Sequence, residues 1–182
     1  MNYVTIFGGS QVQPGQPDYL AAQRLGQLLA LAGHAVLTGG YIGAMEAVSR
    51  GAAEAGGHVV GVTCEEIEAW RPVKANSWVK EERRFPTLRA RLFELIDACD
   101  AAIALPGGPG TLTEISLMWN QLLINAIPAR PLILVGSGWR AVMECFFTQQ
   151  AGYIPPAQSS WLCFAEDVDA AVTQLQNALG GG

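Results

Sequence analysis

Apolar residues in this chain come in short runs and helical stripes that alternate from one end to the other. Tyr3-Val4-Thr5-Ile6-Phe7 is a short apolar run ending in Gly8-Gly9-Ser10, which predicts a strand feeding a glycine turn. Residues 11–17 are polar and contain proline, so they read as a loop. Over 19–31 the residues Leu20, Leu25, Leu28 and Leu29 recur at helical spacing, and Gly33 supplies the stop. Two segments then echo each other. In each, a helix ending in glycine is followed by a histidine (His34, His58) and a buried strand, with the helix 44–55 between them. Both histidines stand at strand entries, whereas ligands of open parallel sheets bind beyond the carboxyl ends, so both read as structural. Residues 64–78 are irregular, and Glu81-Glu82-Arg83-Arg84 reads as a solvated charged face.

The second half continues the alternation. Pro86 suits the first turn of a helix whose stripe is Leu88, Leu92, Leu95, Ile96 and Cys99, with Arg89 and Arg91 flanking it on opposite sides. Either arginine can reach the carboxyl edge of a sheet, and the pattern does not choose between them. A strand over 101–105, a helix from Ile115, a strand over 131–135, a helix over 139–149, a strand over 161–164 and a helix over 167–179 complete the order. Gly180-Gly181-Gly182 reads as a frayed tail. The expected fold is a Rossmann-like, doubly wound, mostly parallel sheet with helices on both faces, in one domain over 1–182.

Composition narrows the classes. The chain is 50% hydrophobic and 15% charged, with a net charge of −5, which argues against nucleic acid as a partner. No apolar run reaches membrane-spanning length, and no leader pattern opens the chain. Cys64, Cys99, Cys145 and Cys163 lack metal or redox spacing and read as free, buried thiols in a cytoplasmic protein. Ile115-Ser116-Leu117-Met118-Trp119-Asn120-Gln121-Leu122-Leu123-Ile124 is apolar nearly all round. Such a helix needs cover on every side, so a homodimer is expected with Trp119, Leu122 and Leu123 at or near the interface.

The candidate chemistry lies in Leu105-Pro106-Gly107-Gly108-Pro109-Gly110-Thr111-Leu112-Thr113-Glu114, between strand and helix. Glycines let the backbone approach a ligand, and the free N–H groups at a helix start favour phosphate. Glu114 would lie in the first helical turn, close to whatever the phosphate carries. The pair Thr111 and Glu114 also fits a capping box, and spacing alone leaves both readings open.

These residues carry a resemblance. Pro106 through Glu114 matches the PGGxGTxxE signature of the LOG ("Lonely Guy") family of cytokinin riboside 5′-monophosphate phosphoribohydrolases. Gly39-Gly40-Tyr41-Ile42-Gly43-Ala44-Met45 resembles the family's GGGxxGLM turn, and Gly8-Gly9-Ser10 its first loop. The family's RKxxM signature falls in register on Arg91-Leu92-Phe93-Glu94-Leu95, keeping the arginine but replacing lysine and methionine by leucines. The resemblance implies hydrolysis of the N-glycosidic bond of a nucleoside 5′-monophosphate, with N6-modified AMP among the candidates. It assigns Glu114 and Arg91 to catalysis. Gly8, Ser10, Gly39, Gly40, Gly43, Gly107, Gly108, Gly110 and Thr111 would bind the nucleotide, with no cofactor or metal required. The alternative is a carrier of a nucleotide or molybdenum cofactor that binds without turnover. Residues 64–78 and Tyr41 are the candidates for the wall facing the base. A pyridoxal-phosphate lysine decarboxylase fails on inventory, since the two lysines, Lys74 and Lys80, lie in the polar loop region. No GxGxxG follows the first strand, which argues against an NAD oxidoreductase.

Overall fold

The computed structural model describes residues 1–180. Its order is β1 (Tyr3–Phe7), α1 (Pro17–Leu31), β2 (Ala35–Thr38), α2 (Ala44–Glu54), β3 (Val59–Cys64), α3 (Glu65–Trp70), β4 (Glu81–Phe85) and α4 (Leu88–Asp97). It continues with β5 (Ala101–Ala104), α5 (Pro109–Leu123), β6 (Leu132–Val135), α6 (Ser137–Gln149), α7 (Pro156–Ser159), β7 (Leu162–Ala165) and α8 (Val168–Gly180). The seven strands form one sheet in the order β4-β3-β2-β1-β5-β6-β7. Every pairing is parallel, so the expected mostly parallel sheet is parallel throughout.

Side chains of a strand alternate between faces, and that alternation builds two cores. Val4 and Ile6 of β1, Val36 of β2 and Ile103 of β5 face α1, α2 and α8. Phe7, Leu37, Ala102 and Ala104 face the opposite way, where Leu95 and Ile96 of α4, Ile115 and Met118 of α5 and Met143 of α6 cover them. Thr5 is fully buried among these, and its hydroxyl donates to the Leu95 carbonyl at 2.7 Å.

Several expectations change. Glu81 to Phe85 is the edge strand β4, paired with β3, instead of a solvated charged face. Glu81, Arg83 and Phe85 are half-buried and alternate with exposed Glu82 and Arg84. Arg83 pairs with Glu81 at 2.7 Å and Glu94 at 2.8 Å, while Arg84 reaches Glu68 at 2.7 Å. Charge on an edge strand discourages pairing with another chain's sheet, so the run is compatible with a strand. The irregular stretch begins with α3. Pro86 precedes α4 instead of starting it, because Thr87 is the N-cap and accepts from the Ala90 N–H at 3.1 Å. All four cysteines are free, but only Cys64 and Cys99 are buried. Gly180 ends α8; Gly181 and Gly182 of the expected tail lie outside the described residues. Among the described residues no helix is long and apolar enough to cross a membrane.

Candidate functional site

Moving outward from β1, successive strands go to β2 on one side and β5 on the other. The chain therefore reverses its direction of travel across the sheet at the β1–β5 boundary. In open parallel sheets the crevice beyond the carboxyl ends at such a point takes ligands. Three glycine loops meet there. The Gly9 N–H donates to the Pro106 carbonyl at 3.1 Å, and the Ala44 N–H donates to the Gly9 carbonyl at 2.9 Å. These bonds tie the loops after β1, β2 and β5 into one unit. A Cβ on Gly43, whose φ is +74°, would lie 2.6 Å from Ser10 Cα. Trp139 at the start of α6 anchors the third loop by donating from its indole N–H to the Leu105 carbonyl at 2.9 Å.

The glycines of the third loop have two kinds of surroundings. A Cβ on Gly107 would fall 2.2 Å from Thr111 Oγ1, so Gly107 lets Thr111 pack beneath the loop, where it is buried. Gly108 and Gly110 are exposed, and a Cβ on either would meet nothing within 4 Å. Nothing in the protein's own packing requires glycine at those two positions. Pro109 opens α5 with Gly108 as N-cap. Pro109 has no N–H, and the N–H groups of Gly110 and Thr111 have no helical carbonyl behind them. They face outward with the positive end of the helix dipole, an arrangement suited to an anion.

The same helix start decides the capping question. With Pro109 as the first helical residue, Thr111 is the third and Glu114 the sixth, and no acidic residue lies in the first turn. Thr111 and Glu114 therefore do not form a capping box. Glu114 stands in the second turn, one turn deeper than the spacing suggests. Its side chain is 12% exposed, and its Oε1 lies 4.0 Å from a terminal guanidinium nitrogen of Arg91. Burial pushes its carboxyl up to about 7, against the opposing pull of the Arg91 charge.

Of the two flanking arginines, Arg91 is buried and faces Glu114, while Arg89 lies outside with its guanidinium over the Phe93 ring. Arg91 Nε donates to the Val62 carbonyl at 2.7 Å, and one terminal nitrogen lies 4.0 Å from Met45 Sδ. A Cβ on Gly39 would fall 1.8 Å from the guanidinium, so Gly39 clears the space that Arg91 occupies. Gly40, at φ +79°, is held within the protein: its N–H donates to Thr38 Oγ1 at 3.1 Å and its carbonyl accepts from Asn76. Gly8 packs against Ala44 and Leu105, and Ser10 is half-buried beside Gly43.

Tyr41 cannot wall an open base site, because it is 1% exposed, with its ring centroid 5.7 Å beneath the Arg91 guanidinium. Sequence reasoning missed Val62, Asn76 and Trp139. Val62 acts through its carbonyl, and Asn76 lies in a stretch without periodicity. The indole of Trp139 gives no signal in the sequence that it reaches Leu105. Among the described residues no group of three or more His, Cys, Asp or Glu side chains converges to hold a metal. His34 and His58 stand at strand entries, and His58 Nε2 lies 3.0 Å from Glu81 Oε2.

The SLOG cluster4 family model matches residues 1–127. A protein of Oryza sativa subsp. japonica, named a probable cytokinin riboside 5′-monophosphate phosphoribohydrolase, is 32% identical over 178 residues, covering 95% of this chain and 77% of the relative. The cytokinin riboside 5′-monophosphate phosphoribohydrolase of Rhodococcoides fascians is 27% identical over 179 residues, covering 96% and 89%. Among solved structures, the molybdenum cofactor binding protein of Rippkaea orientalis superposes with a TM-score of 0.77 at 24% identity, over 98% of this chain and 97% of that one. At that identity the likeness is one of fold.

Proposed function

The chain belongs to the SLOG cluster4 family, the LOG family of its glycine motif, and from that membership we propose that it hydrolyses the N-glycosidic bond of a nucleoside 5′-monophosphate to free base and ribose 5-phosphate. The observation that carries the reading is Glu114, a buried carboxyl one turn inside an open anion cradle and facing a buried arginine. The N–H groups of Gly107, Gly108, Gly110 and Thr111 hold the 5′-phosphate, with Gly8, Ser10, Gly39, Gly40 and Gly43 shaping the two loops beside it. That places the ribose over Glu114.

As the bond from C1′ to the base nitrogen breaks, positive charge grows on the ribose, and the Glu114 carboxylate stabilises it. Water adds its oxygen to C1′. Its proton passes by way of Glu114 toward the departing base, which leaves with the bonding electron pair. Arg91 orients the carboxylate and keeps part of its population ionised near neutral pH. The two relatives named for phosphoribohydrolase activity support this over the carrier alternative, which rests on likeness of fold.

All seven strands share one sheet, which supports a single domain across the 182-residue chain. Four free thiols suit a reducing compartment, and we place the protein in the cytoplasm. It acts as a homodimer through α5. Two residues expected at the interface have their cover within the chain, Trp119 from Phe146 and Phe147 at centroid distances of 6.4 and 5.9 Å and Leu122 from the core, so the proposed interface draws on Leu117, Leu123 and Ile124.

The test is chromatography of AMP and N6-isopentenyl-AMP incubated with wild type, Glu114→Gln and Arg91→Ala. Release of ribose 5-phosphate by wild type, lost in both folded variants, is the expected result. A monophosphate bound tightly but left intact would overturn the hydrolase reading in favour of a carrier.

A further inference from the structure

The turn motif that resembles GGGxxGLM leaves the position of Tyr41 open, yet among the described residues no other aromatic side chain is held by so many bonds beside the site. Gly40 at φ +79° turns the chain so that the Tyr41 ring points inward. Asn76 Nδ2 then donates to the carbonyls of Gly40 at 3.0 Å and Tyr41 at 2.9 Å, fixing that turn. The phenol grips the end of β3 from both sides: it donates to the Cys64 carbonyl at 3.1 Å and accepts from the Cys64 N–H at 2.8 Å. Glu68 Oε1 of α3 stands 3.3 Å away as a further acceptor. Burial raises the phenol's pKa, so the hydroxyl remains a donor. Two residues earlier on β3, the Val62 carbonyl holds Arg91 Nε at 2.7 Å. One strand end therefore grips both the phenol and the guanidinium.

Between those two grips the ring lies beneath Arg91, with the guanidinium carbon 5.7 Å from its centroid. The π face attracts the cation and leaves the guanidinium N–H edge directed toward Glu114 and Met45. We propose that Tyr41 is a positioning residue for the hydrolysis: its clamped ring sets the height and tilt of Arg91, and hence the separation of Arg91 from Glu114. The proposal rests on the hydrolase reading above for its kinetic expression, but the stack itself can be read without turnover. Tyr41 touches no reacting atom. Its loss should act on the chemical step and on the ionisation of Glu114, and leave phosphate binding alone.

The experiment compares Tyr41→Leu, which removes the ring, with Tyr41→Phe, which keeps the ring but cuts the clamp. Steady-state rates of ribose 5-phosphate release from AMP are followed across pH, and melting curves identify folded protein. Misplacement on the ångström scale lowers rates by about ten- to a hundredfold. A fall of that size in kcat is expected for Tyr41→Leu, with KM within about twofold of wild type. The pH limb that reports Glu114 ionisation should move upward, since Arg91 no longer opposes the effect of burial. Tyr41→Phe should lie between the two. Should Tyr41→Leu not fold, Tyr41→Phe carries the same test.

A folded variant with wild-type kcat and an unmoved limb overturns the proposal, as does a change confined to KM. If wild type releases no ribose 5-phosphate, the hydrolase reading fails separately. The ¹⁵N-correlated Arg91 Nε–H resonance then tests the stack. A ring-current shift present in wild type and Tyr41→Phe but gone in Tyr41→Leu supports it, and an Nε–H resonance identical in all three overturns it.

Discussion

At Glu114 stability and function pull in opposite directions. Its folded-state pKa is about 7, above the ordinary value of 4.5. The folded protein therefore holds this proton more tightly than the unfolded chain does. That stabilisation is complete below the unfolded value and is lost as pH rises through the folded one. Wild type should thus lose on the order of 2–3 kcal/mol at this site between about pH 5 and about pH 8.5. Glu114→Gln should lack that slope while losing about 10²- to 10⁴-fold in hydrolysis. Urea midpoints at the two pH values, read beside the rates, check both parts; equal slopes in the two proteins would refute the shift. The glycines divide in a similar way. Gly110→Ala meets nothing within 4 Å and sits inside a helix, so it should gain about 0.5–1 kcal/mol in stability yet bind AMP more weakly. Gly39→Ala drives a methyl to 1.8 Å from the Arg91 guanidinium and should resemble Arg91→Ala in rate. Calorimetric titration with AMP and thermal melting separate the two kinds of glycine.

At the scale of elements, α1 and α2 pack through glycine. A Cβ on Gly26 would lie 2.1 Å from the Val48 carbonyl oxygen, and one on Gly51 would lie 1.8 Å from that of Gln23. Backbone atoms cannot step aside as side-chain ends do, so either alanine must force the helices apart. A loss of about 1–3 kcal/mol or more is expected for Gly51→Ala, measured by chemical denaturation. The pattern of the chain does not foretell this, because a glycine inside a helix looks only like a weak helix former. What was legible followed burial on both faces: β1, β2, β5 and β6 are short apolar runs, α1 and α4 show their stripes, and α5 stands out as apolar nearly all round. What was not legible depended on neighbours. Strand β4 is charged because it lies at the edge, and α3 is too short for its periodicity to register. At the site the motif marked the loops, and the register of the second motif selected Arg91. The depth of Glu114 depends on whether α5 begins at Pro109 or, after a Thr111 cap, at Leu112, nearly one turn of helix that spacing alone cannot assign.

At the scale of the whole molecule, the topology brings the three loops to one crevice at the β1–β5 boundary, and the remaining question is what covers the outside of α5. The helix is apolar nearly all round, but most of that surface is satisfied within the chain. Ile115, Met118 and Leu122 enter the core, and Trp119 is closed over by α6 and bonded through its indole N–H to the Gln158 carbonyl at 2.9 Å. Leu112 at 40% and Ile124 at 67% remain exposed at its two ends, with Leu117 and Leu123 half-covered between them. An isolated exposed isoleucine contributes little to the fold of a monomer, and its replacement there should change stability by no more than about 0.5 kcal/mol. In a dimer the same residue lies in an apolar contact, where a charge is left without solvent or partner. Sedimentation equilibrium should therefore give twice the chain mass for wild type and the chain mass for Ile124→Glu, with the melting curve of the variant showing intact fold. Wild type sedimenting at the chain mass would remove the dimer from the proposal and leave α5 as an unusually apolar helix satisfied by its own chain. If instead the dimer forms and Ile124→Glu does not split it, the contact lies elsewhere, and the exposed Val142 and Phe146 of α6 are the next surface to charge.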